Sequence, residues 1–132
     1  MNNDKLLELA KEAREFARPE ISGFKVGAAL LTKCGKVFSG CNIEDPSGIG
    51  VTNICAERCA VIKALSEGYS EFEKIAVVGG RDELIFCTPC GACRQYLNGF
   101  APKATVICLD DGGAMKEYGM SDLLPYSFNE TF

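Results

Sequence analysis

Apolar residues repeat at spacings of three and four residues in three segments of the chain, which is the period of an amphipathic helix. The first segment covers residues 4–17 and stops before Pro19. The second covers residues 54–66 and is followed by Gly68, a residue type that commonly ends helices. The third covers residues 90–100. The sequence therefore predicts three main helices.

Short apolar runs lie between these helices and predict strands. There are four of them, at residues 26–33, 36–42, 74–80 and 103–111. Cys34 and Gly35 separate the first two runs, so we expect a hairpin there, and residues 121–125 predict a short capped helix. Strands that alternate with helices after an initial hairpin favour an α/β fold, in which helices cover both faces of a mixed sheet.

Composition narrows the class of protein. The 132 residues are 47% apolar and 24% charged, which is the balance of a globular protein, and the length suits a single domain over residues 1–132. Charged residues interrupt the apolar runs near the amino terminus, so we expect neither a signal peptide nor a membrane span. The net charge of −4 argues against a nucleic-acid partner and favours a small neutral substrate.

Cysteine and histidine content limits the chemistry. Eight cysteines in a chain without a secretion signal indicate a reducing compartment, which we expect to be the cytoplasm, where thiols stay free to bind metal. The chain has no histidine, which excludes nucleophiles activated by that residue. Any zinc ion must therefore be bound mainly through sulfur.

Two short motifs bring sulfur and a carboxylate together. Cys55 and Glu57 lie at the start of the second predicted helix, and Cys90 and Cys93 lie at the start of the third. One helical turn separates Cys90 from Cys93, so both can bind one ion, and Cys55 can supply a third ligand. Three protein ligands leave a position open for water, as in catalytic zinc sites. Because three thiolates over-neutralise the ion, we expect Arg58 and the two helix N-termini to offset their charge.

These motifs belong to a larger set of sequence blocks. FKVGAALL at 24–31, GCNIE at 40–44, CAER at 55–58, PCGACRQ at 89–95 and LLPYSF at 123–128 occur in this order. Together they resemble the small, all-cysteine cytidine deaminases, in which a ligand-x-Glu motif precedes Pro-Cys-x-x-Cys. The resemblance implies a three-layer α/β/α fold with a mixed five-stranded sheet, one zinc ion per subunit and a homotetramer. It also implies hydrolytic deamination of cytidine or deoxycytidine.

The resemblance implies a role for individual residues as well. Glu57 would take a proton from the attacking water, pass it to the pyrimidine ring nitrogen and help to protonate the departing ammonia. Asn42 and Glu44 would bind the ribose hydroxyls, and Phe24 would lie against the base. Phe128 would close the pocket of a neighbouring subunit.

Two departures from the family pattern concern the rim of the pocket. The related deaminases usually continue after Asn-x-Glu with a run of small residues that ends in tyrosine, whereas this chain has DPSGIGVTN at 45–53 and a longer path to Cys55. Ile21 stands where a tyrosine often precedes the Phe24 block. These differences keep a second substrate class open, namely another aminopyrimidine nucleoside such as blasticidin S.

Simpler interpretations apply to several of these residues. Small buried apolar residues are the plain interpretation of Cys34, Cys41, Cys59 and Cys108. Ordinary polar, core or surface positions would account for Asn42, Glu44, Phe24 and Arg58.

Two interpretations without catalysis also use the cysteine motifs. Cys87, Cys90 and Cys93 have the two-residue spacing of iron–sulfur proteins, but no fourth cysteine follows three residues later. A structural zinc site with Cys87 or Cys59 as its fourth ligand would have no open position. Both interpretations leave Glu57 without a role.

Overall fold

The centre of the fold is a mixed sheet of five strands. The computed structural model describes residues 1–129. Its strands are β1 (Lys25–Thr32), β2 (Val37–Cys41), β3 (Phe72–Gly80), β4 (Thr105–Leu109) and β5 (Met115–Gly119). They lie in the order β2-β1-β3-β4-β5. Strands β3 and β4 are parallel, and each other neighbouring pair is antiparallel.

Helices cover both faces of this sheet. They are α1 (Asn3–Arg14), α2 (Ala56–Ser66), α3 (Gly91–Phe100) and the short α4 (Met120–Leu123), with a 3₁₀ turn at Gly50–Thr52. Helix α1 packs on one face, whereas α2 and α3 pack on the other, so the predicted three-layer α/β/α arrangement is confirmed. None of the helices in the described part of the chain is long and apolar enough to cross a membrane.

Successive residues of the central strands face opposite layers. Ala28 and Leu30 of β1 belong to the core under α2 and α3, while Ala29 and Leu31 belong to the core under α1. The residues of β3 alternate in the same way. Because both faces of these two strands are buried, their sequences are continuous apolar runs, and the hydrophobic pattern located them.

The hydrophobic pattern of the sequence did not predict strand β5. It lies at the edge of the sheet, where Tyr118 pairs with Val106 of β4, and residues 115–117 are exposed. Backbone pairing rather than apolar burial therefore defines this strand, and a polar segment of this kind carries little hydrophobic periodicity.

Helix α1 ends at Arg14, three residues before the predicted end. The N–H groups of Glu15, Phe16 and Ala17 each donate to the carbonyl three residues earlier, over 3.0–3.2 Å. These are bonds of the tighter 3₁₀ type, which is common at helix ends. They lead the chain towards Pro19, before which the α conformation is disfavoured.

The fold brings the starts of α2 and α3 together. Helix α3 connects the parallel strands β3 and β4, so it begins at the end of the sheet where β3 ends. Helix α2 approaches β2 closely at Gly40, where an added Cβ would lie 2.6 Å from both the Ala56 carbonyl oxygen and the Ala60 nitrogen. Glycine at this position therefore lets α2 sit directly on the sheet.

Candidate active site

Two helix starts supply the sulfur atoms of the candidate site. Cys55 is the N-cap residue of α2, and Cys90 is the N-cap residue of α3. Neither side chain caps its own helix by a hydrogen bond, so both sulfurs are available to other groups. Cys93 follows in the first turn of α3 and is fully buried. The positive ends of both helix dipoles favour thiolate at these positions.

The three sulfurs lie close enough to share one ion. The Sγ atoms of Cys55, Cys90 and Cys93 are all within 4.8 Å of one another, and those of Cys55 and Cys90 are 4.0 Å apart. Tetrahedral zinc with Zn–S bonds of about 2.3 Å separates its sulfur ligands by roughly 3.8 Å, so the cluster fits zinc. Cys59 and Cys87 are not part of it. The alternatives that required a fourth sulfur therefore lack it among the described residues.

Arg58 is the cation beside this cluster. Its Nη2 donates to the Sγ atom of Cys55 over 3.8 Å and to the carbonyl oxygen of Asn53 over 3.3 Å. The hydrogen bond to Cys55 raises the pKa of Arg58. The pKa of Cys55 is lowered, first by the hydrogen bond with the Cys93 thiol and then by Arg58. The guanidinium therefore lies close to the sulfur of Cys55, and its role in offsetting sulfur charge stays a prediction.

The carboxyl group of Glu57 is buried in the first turn of α2. The residue is 4% exposed, and burial raises its pKa to about 7, with a further contribution from the charge of Cys55. A carboxyl group that titrates near neutral pH can accept and return a proton during one reaction cycle.

A cavity of about 300 Å³ joins the sulfur cluster to the predicted substrate residues. Its wall consists of Phe24, Val26, Asn42, Glu44, Asn53, Ile54, Cys55, Ala56, Glu57, Cys87, Thr88 and Cys90. Three predicted site residues are outside this wall: Cys93, which belongs to the sulfur cluster, Arg58, which contacts Cys55, and Phe128. Phe128 is 62% exposed. Its backbone carbonyl oxygen accepts a hydrogen bond from the Gln95 side chain over 3.1 Å.

Asn42 links the cavity to strand β1. It follows β2, is 9% exposed, and its Oδ1 accepts from the Val26 N–H over 2.8 Å. Its Nδ2 donates to the Phe24 carbonyl oxygen over 2.7 Å. Oδ1 and Nδ2 of Asn42 each keep one further hydrogen-bonding position, so Asn42 can support the strand and still face a substrate.

Glu44 holds the segment before β1. Its Oε1 accepts from the N–H groups of Ile21 and Ser22, both over 2.8 Å, and its Oε2 accepts from the Ser22 hydroxyl over 2.6 Å. These hydrogen bonds, that of the Ser22 hydroxyl first, lower the pKa of Glu44. The carboxylate therefore stays ionised at neutral pH and acts only as an acceptor.

Phe24 and Cys87 form the part of the wall that touches β3. A Cβ atom on Gly79 would lie 2.7 Å from the Cys87 sulfur and 2.9 Å from the Phe24 ring, so the absence of a side chain at Gly79 makes room for both. Arg81 lies above the Phe24 ring, with its Cζ atom 5.9 Å from the ring centre. Burial raises the pKa of Cys87 to about 11, so its thiol stays protonated at neutral pH.

Residues 45–53, where the chain departs from the family pattern, form an ordered turn around Asp45. The Asp45 carboxylate accepts from the Ser47 N–H over 2.8 Å and also from the Thr52 hydroxyl. The Asp45 N–H donates to the Asn53 side chain over 2.6 Å. Asn53 lines the cavity, so this turn shapes one side of it.

Sequence reasoning missed the clamp formed by Arg94. Its guanidinium donates to the carbonyl oxygens of Pro89 and Leu123, each over 2.7 Å, and to the Thr88 hydroxyl over 2.8 Å. Arg94 thus ties the segment before Cys90 to the end of α4. The sequence clue to Arg94 was its place within PCGACRQ at 89–95. Its partners Thr88 and Pro89, however, are far from Leu123 in sequence.

Comparison with known proteins identifies the family. Residues 1–109 match the model of the cytidine and deoxycytidylate deaminase zinc-binding region. The chain belongs to this family. A cytidine deaminase from Halalkalibacterium halodurans is 44% identical to this family member over 129 residues, which are 97% of this chain and 95% of the relative.

One solved structure and one further curated protein are also similar to this family member. A crystal structure of cytidine deaminase from Burkholderia pseudomallei matches with a TM-score of 0.87 and 44% identity, over 97% of this chain and 100% of that chain. A blasticidin-S deaminase from Bacillus cereus is 32% identical over 109 residues, which are 78% of this chain and 76% of the relative. The predicted family, fold and zinc cofactor are confirmed, while the roles of individual residues stay predictions.

Proposed function

We propose that this protein deaminates cytidine or deoxycytidine by hydrolysis, giving uridine or deoxyuridine and ammonia. The proposal depends on one observation, which is that a buried carboxyl group, two members of a three-sulfur cluster and polar residues for a sugar all line one cavity. The family relationship supports the same reaction. A neutral nucleoside also suits a chain whose net charge is −4 and for which we propose no nucleic-acid partner.

Cys55, Cys90 and Cys93 would hold the zinc ion. When bound there, zinc supplies a Lewis acid that makes water more acidic and so more nucleophilic near neutral pH. Arg58 partly offsets the sulfur charge through its hydrogen bond to Cys55. The helix N-termini act in the same direction, because Cys55 and Cys90 are N-cap residues at the positive ends of the two helix dipoles.

Glu57 would move the protons. Water adds its oxygen to C4 of the base, and Glu57 accepts the released proton and delivers it to ring nitrogen N3. Glu57 then transfers the proton of the new C4 hydroxyl group to the C4 amino group, so that the C4–N bond breaks, the C4 carbonyl forms and ammonia leaves. The pKa of about 7 suits both directions of this transfer. Base and sugar are held in our proposal by Phe24, Asn42 and Glu44.

A panel of four compounds tests this proposal. Purified zinc-loaded protein is incubated with cytosine, cytidine, deoxycytidine and blasticidin S, and the loss of ultraviolet absorbance and the release of ammonia are followed. We expect turnover of cytidine and deoxycytidine, and only weak turnover of free cytosine, which lacks the sugar. Chelation should abolish turnover and added zinc should restore it. Zinc-loaded, folded protein that releases no ammonia from either nucleoside would contradict the proposal.

Blasticidin S is a second candidate substrate. The Bacillus cereus relative supports it, as does the turn at residues 45–53, which differs from the usual cytidine deaminase pattern and places Asn53 in the cavity wall. A higher kcat/KM for blasticidin S than for cytidine in the same panel would make it the main substrate.

We further propose that the single domain over residues 1–132 assembles as a cytoplasmic homotetramer. Phe128 supports this assembly, because its exposed ring lies outside its own cavity and could reach that of a neighbour. Light scattering should give four times the subunit mass. Phe128→Ala should raise the KM for cytidine, whereas an unchanged KM would remove this residue from the neighbouring pocket.

A further inference from the structure

One hydroxyl group joins two residues that we place against different parts of the substrate. Ser22 Oγ donates to Glu44 Oε2 over 2.6 Å and accepts from the Phe24 N–H over 3.0 Å. A serine hydroxyl has a single hydrogen. Since Glu44 is ionised and cannot donate, this hydrogen must point at Glu44, and the direction of both bonds is defined.

The Glu44 carboxylate has limited capacity left for a substrate. A carboxylate offers about four acceptor positions, two on each oxygen. The N–H groups of Ile21 and Ser22 occupy both positions of Oε1, and the Ser22 hydroxyl occupies one position of Oε2. A sugar hydroxyl that binds Glu44 must therefore use the remaining position on Oε2, beside the Ser22 hydroxyl.

We propose that Ser22 is a positioning residue that orients the Glu44 carboxylate for one sugar hydroxyl and ties it to the Phe24 backbone. Ser22 thereby sets the affinity for nucleosides that carry sugar hydroxyls, without taking part in the chemical step. This inference rests on the proposed nucleoside deamination. It assigns the selectivity between sugars to a residue that need not touch the substrate.

The test removes the hydroxyl of Ser22 and varies the hydroxyls of the ligand. Ser22→Ala should raise the KM for cytidine about two- to tenfold, the usual worth of one hydrogen bond, with kcat unchanged. The KM for 2′,3′-dideoxycytidine should stay the same, because that compound lacks the 2′- and 3′-hydroxyls, one of which we assign to Glu44. Ser22→Thr keeps a hydroxyl and should restore the KM for cytidine. Ser70→Ala is the matched control, because Ser70 is exposed and precedes the start of β3, at the opposite end of this strand from Gly79.

A second measurement separates the positioning role from a general loss of structure. The dissociation constants of uridine and 2′,3′-dideoxyuridine are measured by calorimetry for each variant, together with the thermal unfolding midpoint. Ser22→Ala should weaken the binding of uridine alone. In ¹H–¹⁵N NMR spectra, the Phe24 amide should exchange faster with solvent, because it has lost its acceptor.

Three results would overturn the inference: equal weakening of both ligand types, no change for either, or tighter binding of uridine. Tighter binding would mean that Ser22 competes with the sugar. Wild-type protein that binds uridine but does not turn over cytidine would contradict the proposed function alone. Failure to bind any nucleoside would contradict both.

Discussion

The side chains at the two ends of the cavity are held in place by different kinds of interaction. At the cysteine end, which we define as Cys55, Glu57, Cys90 and Cys93, the side chains come from the first turns of two helices that pack on the core. At the sugar end, defined as Phe24, Asn42 and Glu44, hydrogen bonds to the backbone of residues 21–26 hold the two polar side chains. Packing thus fixes the groups of the chemical step, and hydrogen bonds fix the polar groups of recognition. Changes at the cysteine end should abolish activity, and changes at the sugar end should adjust it.

The largest effect should come from Cys93, the buried ligand. Cys93→Ala removes one of three sulfurs, so we expect zinc content to fall towards zero. We also expect kcat to fall at least about ten-thousandfold, because the metal and the proton transfer that depends on it are lost together. Metal analysis and ammonia release measure both. Cys108→Ala changes another fully buried thiol and should retain zinc, at a stability cost of about 1 kcal/mol. Normal zinc content in Cys93→Ala would show that Cys93 is not a zinc ligand and does not belong to the cysteine end.

Glu57 should give the next largest effect. Glu57→Gln keeps the shape of the side chain but cannot accept a proton, so kcat should fall about a hundred- to ten-thousandfold while zinc content is unchanged. Glu67→Gln, at the exposed C-terminal end of α2, is the control and should leave kcat unaltered. Retained turnover in Glu57→Gln would remove this carboxyl group from the proton transfer.

A moderate effect is expected at Asn42, where the sugar end joins the sheet. Asn42→Ala leaves the Val26 N–H and the Phe24 carbonyl without their partner, so the free energy of unfolding should fall by about 1–3 kcal/mol. Urea unfolding measures this change, and the KM for cytidine should rise as well. Asn98→Ala, which loses hydrogen bonds only to other side chains, should cost less. Equal costs in the two variants would mean that Asn42 has no special role in supporting the cavity.

The smallest effect should arise at the turn around Asp45. Hydrogen bonds from Thr52 first and then from Ser47 lower the pKa of Asp45 below its ordinary value of 3.8. The turn should therefore keep its amide protection at and above that pH and lose it only as the pH falls through the lowered pKa. Hydrogen exchange of the Ser47 amide follows this loss. Asp45→Asn should weaken protection at neutral pH with little change in the unfolding midpoint, whereas unchanged protection would show that the carboxylate does not hold the turn.

The same contrast explains which features the sequence predicted. The cysteine end consists of two pairs of residues, each two or three positions apart at a helix start, so local spacing grouped the members of each pair. The family resemblance joined the two pairs. The central strands were located because both faces are buried, whereas β5 was not, because its residues 115–117 are exposed at the sheet edge. Helix α1 was extended to Ala17 because apolar spacing does not distinguish an α-helix from the 3₁₀ turns that follow it.

The hydrogen-bonded parts of the site could not be predicted in the same way. Asn42 was expected to meet a substrate, but its bonds to Phe24 and Val26 depend on how β1 and β2 align in space. Arg94 bonds to Leu123, which lies 29 residues further along the chain. No local pattern encodes partners at such distances, and they become visible only when the chain has folded.

Gly79 has a consequence for redesigning this enzyme. A Cβ atom there would lie 2.7 Å from the Cys87 sulfur and 2.9 Å from the Phe24 ring, so both side chains would have to move and the cavity wall would change with them. New substrate preferences that leave this part of the wall intact should therefore arise from residues 18–24 and 45–53. Libraries directed at those two segments should yield altered specificity more often than libraries directed at the sheet.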